Sequence, residues 1–193
     1  MRIIAGMYRS RALEAPAGLA TRPTSDRLRE TLFNVLAPRI QAARFLDLYA
    51  GSGAVGLEAV SRLAAQVTFV ERAPAALKVL RANLLKLGVT QGFKIHPGST
   101  GSLLRKPPAG FNLAFNVVFL DPPYDAAEEY AATLGLLGGT AACLLAPGAV
   151  VIAEHRRKQR LQENYGNLGR TRLLEQGDAA LSFFSVSAVT DGN

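Results

Sequence analysis

From Phe45 onward, short apolar runs alternate with amphipathic stretches, the pattern of a parallel sheet covered by helices on both faces. Phe45 to Leu48, Val67 to Glu71, Phe93 to His96, Val117 to Asp121 and Ala149 to Glu154 read as strands. Between the second and third, Pro74 stands at a favoured first helical position, Leu77, Leu80, Leu84 and Leu87 repeat at three- and four-residue spacing, and Gly88 stops the run. These signals predict a crossover helix. Another helix precedes Phe45, with Leu28, Leu32, Val35 and Leu36 on one face and Pro38 near its end. After His155 the pattern changes. Arg170 to Glu175 and Ala180 to Val186 flank Gln176-Gly177-Asp178-Ala179, which reads as a hairpin connection, so the sheet is expected to finish with an antiparallel strand. Residues 1–24 form an arm containing Arg, Gly and Pro, and residues 25–193 a single domain, with no internal repeat or interdomain linker.

Length and composition agree with one globular unit: 193 residues and 49% hydrophobic content sustain a core. The longest apolar stretch, Leu134 to Pro147, is interrupted by Gly135, Gly138 and Gly139 and falls short of the roughly 20 residues of a membrane span. The run Ile3 to Met7 is too short for a signal-peptide core. The expectation is a cytoplasmic protein with no membrane partner. Cys143 is the single cysteine and His96 and His155 the two histidines, which excludes an intrachain disulfide and argues against a metal site. Cys143 is expected to be a small core residue. Lys and Arg number 22 against 15 Asp and Glu, a net charge of +7 that fits either a polyanionic partner or a solvated surface. Arg2, Arg9, Arg11, Arg22, Arg27 and Arg29 crowd the first thirty residues, against Glu14, Asp26 and Glu30. The arm is therefore a candidate for phosphate contacts.

The segment Asp47-Leu48-Tyr49-Ala50-Gly51-Ser52-Gly53-Ala54-Val55-Gly56 follows the first strand and opens a helix expected to run through Leu57, Val60 and Leu63. Open parallel sheets bind ligands at such a place, where glycine permits close backbone approach and the helix start favours an anion. Gly51, Gly53 and Gly56 fit G-x-G-x-x-G, and Glu71 ends the next strand about twenty residues on, where an acceptor for ribose hydroxyls belongs. The motif by itself suits either NAD or S-adenosylmethionine. Asp47, four residues before Gly51, favours the second, because it is placed to orient the loop and the amino end of a methionine moiety. Ala50 in the loop and Arg72 beside Glu71 complete this part of the candidate cofactor site.

The fourth strand, Val117-Val118-Phe119-Leu120, runs into Asp121-Pro122-Pro123-Tyr124 at the carboxyl edge of the sheet. Those four residues suit a planar amine. The lone pair of an aromatic exocyclic amine is delocalised into the ring, and two acceptors aimed at its hydrogens would localise it and stabilise developing positive charge. The Asp121 carboxylate and the Pro122 carbonyl are the candidate acceptors. Pro122 and Pro123 fix two successive φ angles, and Tyr124 offers a flat face on which an extruded base can stack.

The chain resembles the RsmD-type 16S rRNA guanine-N2 methyltransferases over nearly its full length. The residues that carry the likeness are Arg2-Ile3-Ile4-Ala5-Gly6, Arg9-Ser10-Arg11, and the run from Thr21-Arg22-Pro23-Thr24-Ser25-Asp26-Arg27 to Asn34, with Asp47 to Gly53 similar to the family's cofactor loop and Asp121 to Tyr124 to its catalytic motif. The resemblance implies a Rossmann-like class I methyltransferase fold, a mostly parallel seven-stranded sheet with a C-terminal antiparallel hairpin strand. It implies S-adenosylmethionine as cofactor and N2 of a guanosine, position 966 of 16S rRNA, as target. The implied partner is 16S rRNA or the small ribosomal subunit, held with the help of the arm, for which Arg2, Arg9, Arg11, Arg22 and Arg27 are the candidate contacts; a monomer is expected. Gly98-Ser99-Thr100 departs from the family pattern, Ser99 standing where many relatives place an acid or amide near the adenine amine. Adenine-N6 methylation of DNA, methylation of a protein glutamine amide, and a non-catalytic RNA-binding domain remain alternatives at this point.

Overall fold

The computed structural model describes residues 1–15, 26–108, 111, 114–123 and 127–186. In chain order the elements are α1 (Asp26–Ile40), β1 (Arg44–Asp47), α2 (Ala54–Ser61), β2 (Gln66–Glu71), α3 (Pro74–Leu87), β3 (Phe93–Pro97), α4 (Thr100–Arg105), β4 (Phe115–Leu120) and α5 (Ala127–Leu137). A short 3-10 turn (Ala142–Leu144) then leads to β5 (Leu145–Arg156), β6 (Asn164–Tyr165), β7 (Leu168–Gln176) and β8 (Ala179–Val186). The strands form one sheet in the order β3-β2-β1-β4-β5-β8-β7-β6. β1 through β5 pair in parallel, and β8, β7 and β6 pair antiparallel. The described sheet thus has eight strands where seven are expected; the addition is the two-residue β6, too short to leave a hydrophobic period in the sequence.

Alternation along the strands creates two cores. Phe45, Phe69, Val117, Phe119 and Ile152 face α1, α2 and α3, while Leu46, Val70, Val118, Leu120 and Val151 face α4 and α5. The α3 signals act as read: Pro74 is at the first turn and Gly88 caps the end at φ 72°, a conformation glycine adopts without strain. The hairpin turn narrows to Gly177-Asp178 between β7 and β8.

Two local expectations are corrected. Leu63 does not continue α2; the helix ends at Ser61, Leu63 takes φ 68°, and half its surface is exposed. The Ser61 carbonyl accepts from Met7 N at 2.8 Å and its hydroxyl accepts from Tyr8 N at 3.0 Å, so the first residues of the chain occupy the end of the helix. Cys143 is exposed and not in the core. It lies in the 3-10 turn, where Leu144 is the residue turned inward.

Those first residues fold back on themselves, with Ile3 N donating to Arg11 O at 2.9 Å and Ser10 N to Ile3 O at 2.8 Å. Ile3 and Leu13 join the core under α1 and α2. Glu58 of α2, wholly buried, accepts from Ile4 N at 2.7 Å and Ala5 N at 3.0 Å. Asn83 of α3 accepts from Glu14 N at 2.8 Å and donates to the Ser52 carbonyl at 2.9 Å, tying the arm to the glycine loop. No helix among the described residues is long and apolar enough to cross a membrane.

Candidate active site

Strand order reverses between β1 and β4: the chain builds outward from β1 to β2 and β3, then returns to β4 on the other side. A crevice opens at the carboxyl ends of the strands at such a switch. Asp47, the last residue of β1, pairs in register with Phe69 of β2 and Phe119 of β4. Glu71 and Asp121, each two residues further on, therefore flank β1 at the rim. With strands about 4.8 Å apart, their backbones lie about 10 Å from each other. The glycine loop rises between them, held by Leu48 N to Phe119 O at 3.0 Å and Ala50 N to Val70 O at 3.0 Å. Ala50 is buried in this loop.

The loop's sequence follows from its packing. Gly53 takes φ 83° at the start of α2. At Gly56 a Cβ would come within 2.2 Å of the Phe69 ring, so only glycine lets the helix approach β2 this closely. Asp47 Oδ2 accepts from Gly56 N at 3.0 Å, and Glu71 accepts from Gly51 N at 2.8 Å and Ala73 N at 2.7 Å. The two acids thus brace opposite ends of the loop.

Burial pushes the Asp47 carboxyl up to about 7, helped by the charge of Glu71 and opposed by the amides of Gly56 and Tyr49. Asp121 is raised well above the usual carboxylate range, first by desolvation, then by Glu154 and Asp47. Glu154, a buried residue near the end of β5, is a site residue that the sequence reading missed. Its signal was present: it is another acid closing a parallel strand, level with Asp121 because Leu120 pairs with Ala153. Tyr49 and Thr100 were missed as well. Tyr49 Oη lies 2.8 Å from Thr133 Oγ1, its hydroxyl pushed up to about 12 chiefly by burial, and Thr100 Oγ1 donates to the Leu48 carbonyl.

The remaining expected residues fall in three places. Pro122 is buried and Pro123 exposed directly after β4, while Tyr124 lies outside the described residues. Ser99 caps α4, its hydroxyl accepting from Ser102 N at 3.2 Å, and Gly98 N bonds to Glu71 O at 2.9 Å, which sets Ser99 beside the β2 rim. Arg72 is mostly exposed and pairs with Glu129 at 3.9 Å. Arg2, Arg9 and Arg27 line one cavity of about 420 Å3 with Asp26 and Glu30, between the arm and the start of α1. Arg2 also pairs with Asp26 at 3.6 Å; Arg11 is exposed, and Arg22 lies outside the described residues. Among the described residues no group of three His, Cys, Asp or Glu is placed to hold a metal.

The family model described as conserved hypothetical protein 95 matches residues 1–185. A Bacillus subtilis (strain 168) protein named as a candidate rRNA methyltransferase, YlbH, is 36% identical over 184 residues, 95% of this chain and 98% of that protein. Ribosomal RNA small subunit methyltransferase D of Escherichia coli (strain K12) is 44% identical over 124 residues, 64% of this chain and 60% of that protein, so the match spans about three fifths of its length. A solved structure of a candidate methyltransferase from Escherichia coli, yhhF, has TM-score 0.82 at 35% identity, covering 96% of this chain and 97% of that one. A remoter neighbour solved in complex with SAH, SMU.776, shares the fold at TM-score 0.66 and 12% identity over 83% of this chain and 48% of that one. With residues 1–185 matched and Asp47, Glu71 and Asp121 gathered at the strand-order switch, the chain belongs to the conserved hypothetical protein 95 family, the RsmD-type methyltransferases that its motifs resemble.

Proposed function

We propose that the protein transfers a methyl group from S-adenosylmethionine to the exocyclic N2 amine of a guanine in small-subunit ribosomal RNA. One observation carries this reading: Asp47, Glu71, Asp121 and Glu154 converge on the carboxyl edges of four adjacent strands of a protein whose net charge is +7. An acidic crevice favours a cofactor with ammonium and sulfonium cations and disfavours a pyrophosphate. Asp47 already accepts Gly56 N, one of the amides at the start of α2 that a dinucleotide phosphate would need.

In this reading Asp47 orients the loop toward the amino end of the methionine moiety, and Glu71 receives the ribose hydroxyls. Ala50, Gly51 and Gly53 line the approach, and Arg72 and Ser99 border the adenine side. The bound cofactor supplies an electrophilic methyl group. The chain's own residues act on the amine: the Asp121 carboxylate and the Pro122 carbonyl accept its hydrogens, localise the lone pair and stabilise the positive charge that grows as the N–C bond forms. The raised proton affinity of Asp121 suits it to take the proton the amine sheds. Tyr124 stacks on the base. Arg2, Arg9, Arg11, Arg22 and Arg27 of the arm and α1 hold the RNA. The relatives' names support rRNA of the small subunit; guanine N2 and position 966 rest on the motif resemblance, and a cytoplasmic monomer acting on free rRNA or on the subunit completes the reading.

The test is methyl transfer from labelled S-adenosylmethionine to small ribosomal subunits from cells lacking the protein, followed by nucleoside analysis. Labelled N2-methylguanosine is the expected product. No label in subunits, naked rRNA or assembly intermediates overturns the reading, and label in DNA adenine or in a protein amide replaces it.

A further inference from the structure

β5 runs past the crevice into the most basic stretch of the chain, Arg156-Arg157-Lys158-Gln159-Arg160, with four cations in five positions. Backbone bonds shape this turn: Arg157 N donates to Asp178 O at 2.8 Å and Gln159 N to Arg156 O at 2.9 Å. Of the acids nearby, Glu175 pairs with Arg157 at 3.2 Å, and Glu163 is taken up by Arg170. Lys158 and Arg160 are exposed and have no ion-pair partner among the described residues.

Register fixes where these charges stand. Leu120 of β4 pairs with Ala153 of β5, so Asp121 is level with Glu154, and Arg156 lies two residues beyond the rim, about 7 Å further out at the rise of a strand. The floor of the crevice is lined with carboxyl groups and, among the described residues, brings no cation to a phosphate. A nucleic-acid strand presenting one base to Asp121 must keep its backbone outside that acidic floor, and cations one strand over and a few ångströms higher meet that need. We propose that the turn Arg156–Arg160 is a phosphate-binding ledge that grips the RNA backbone flanking the target nucleotide, separate from the arginines of the arm. This rests on the RNA substrate proposed above.

The double variant Lys158→Gln/Arg160→Gln tests it, because both side chains are exposed and neither has an ion-pair partner among the described residues. Binding of the full-length protein to a small-subunit rRNA fragment is measured across a salt series, alongside steady-state methylation. Two lost phosphate contacts reduce the slope of log affinity against log salt by about 1.4 to 1.8. KM for RNA should rise several-fold while kcat and the affinity for S-adenosylmethionine stay at the wild-type values. The charge-conserving pair Lys158→Arg/Arg160→Lys should retain the slope. An unchanged slope, or a loss confined to kcat, overturns the ledge. If the wild-type protein methylates no RNA, the proposed function fails and the ledge is judged by the binding slope alone. If the wild type methylates RNA and the double variant matches it in slope and KM, the ledge alone fails.

Discussion

Truncating Glu58 to alanine would unhook the N-terminal arm from α2. The carboxylate is wholly buried and accepts from Ile4 N, Ala5 N and Arg62 Nε, at 2.7, 3.0 and 2.9 Å, with Arg29 Nε 3.8 Å away. Hydrogen bonds to a charged group contribute about 1.5–3 kcal/mol each, though those sharing one carboxylate do not add. The larger effect is on Arg29, itself wholly buried: burial already lowers its proton affinity, and Glu58 is the leading charge opposing that. Without it, Asp26 at 3.0 Å and the field of Glu154 remain. Removing one partner of a buried pair costs about 3–5 kcal/mol, and a domain of this size has about 5–15 kcal/mol in all. Glu58→Ala should therefore lose about 3–5 kcal/mol, and Glu58→Gln, which keeps one acceptor oxygen and the shape, about half of that. Urea unfolding followed by far-ultraviolet circular dichroism measures the loss, since the chain has no tryptophan. Hydrogen exchange adds the local readout: the amides of Ile4, Ala5 and Tyr8 should lose more protection than those of β1 and β4. A loss below about 1 kcal/mol, or unchanged protection at Ile4 and Ala5, would refute the reasoning. The arm would then be held by the burial of Ile3 and Leu13 and not by the carboxylate.

Asp121→Ala should remove most turnover while leaving S-adenosylmethionine binding by calorimetry near wild type, because the carboxylate acts on the amine; unchanged turnover refutes that role. The folded-state value of Asp47, about 7, lies above the roughly 3.9 of an unfolded aspartate, so the folded protein binds the extra proton between them. Stability should fall as pH rises from about 4 to about 7, and Asp47→Asn should flatten that fall in urea midpoints measured across the range; an equal slope in the variant counts against it. Gly56→Ala drives a methyl group into the buried Phe69 ring and should cost about 1–3 kcal/mol in the same unfolding assay, with weakened cofactor binding as the loop shifts. Charge reversal at Arg9 and Arg11 should weaken RNA binding and lower its salt slope in filter binding, whereas an unaltered slope would remove the arm from the phosphate contacts.

Most of the fold was legible because its signals are local. Pro74 and Gly88 bound α3 as read, Gly177 marks the hairpin, and β1, β2 and β4 carry the continuous apolar runs of a sheet buried on both faces. Asp47, Glu71 and Asp121 were legible for a related reason: each ends a strand, and parallel strands bring their carboxyl ends to one edge. Leu63 failed because the helix it was assigned to ends where Ser61 bonds to Met7 and Tyr8, more than fifty positions earlier in the chain. Cys143 failed because apolar neighbours say nothing of which way a three-residue turn faces.

By itself, then, the sequence determined the order of elements, the glycine loop and the acids at strand ends, since hydrophobic period and turn chemistry act between residues a few positions apart. Only the tertiary structure decided that Glu58 would hold the arm and screen a buried Arg29, that Asn83 would link arm to glycine loop, and that Glu154 would raise Asp121. Those interactions join residues dozens of positions apart, and their strength comes from burial, which no single stretch of sequence possesses until the sheet and helices close around it.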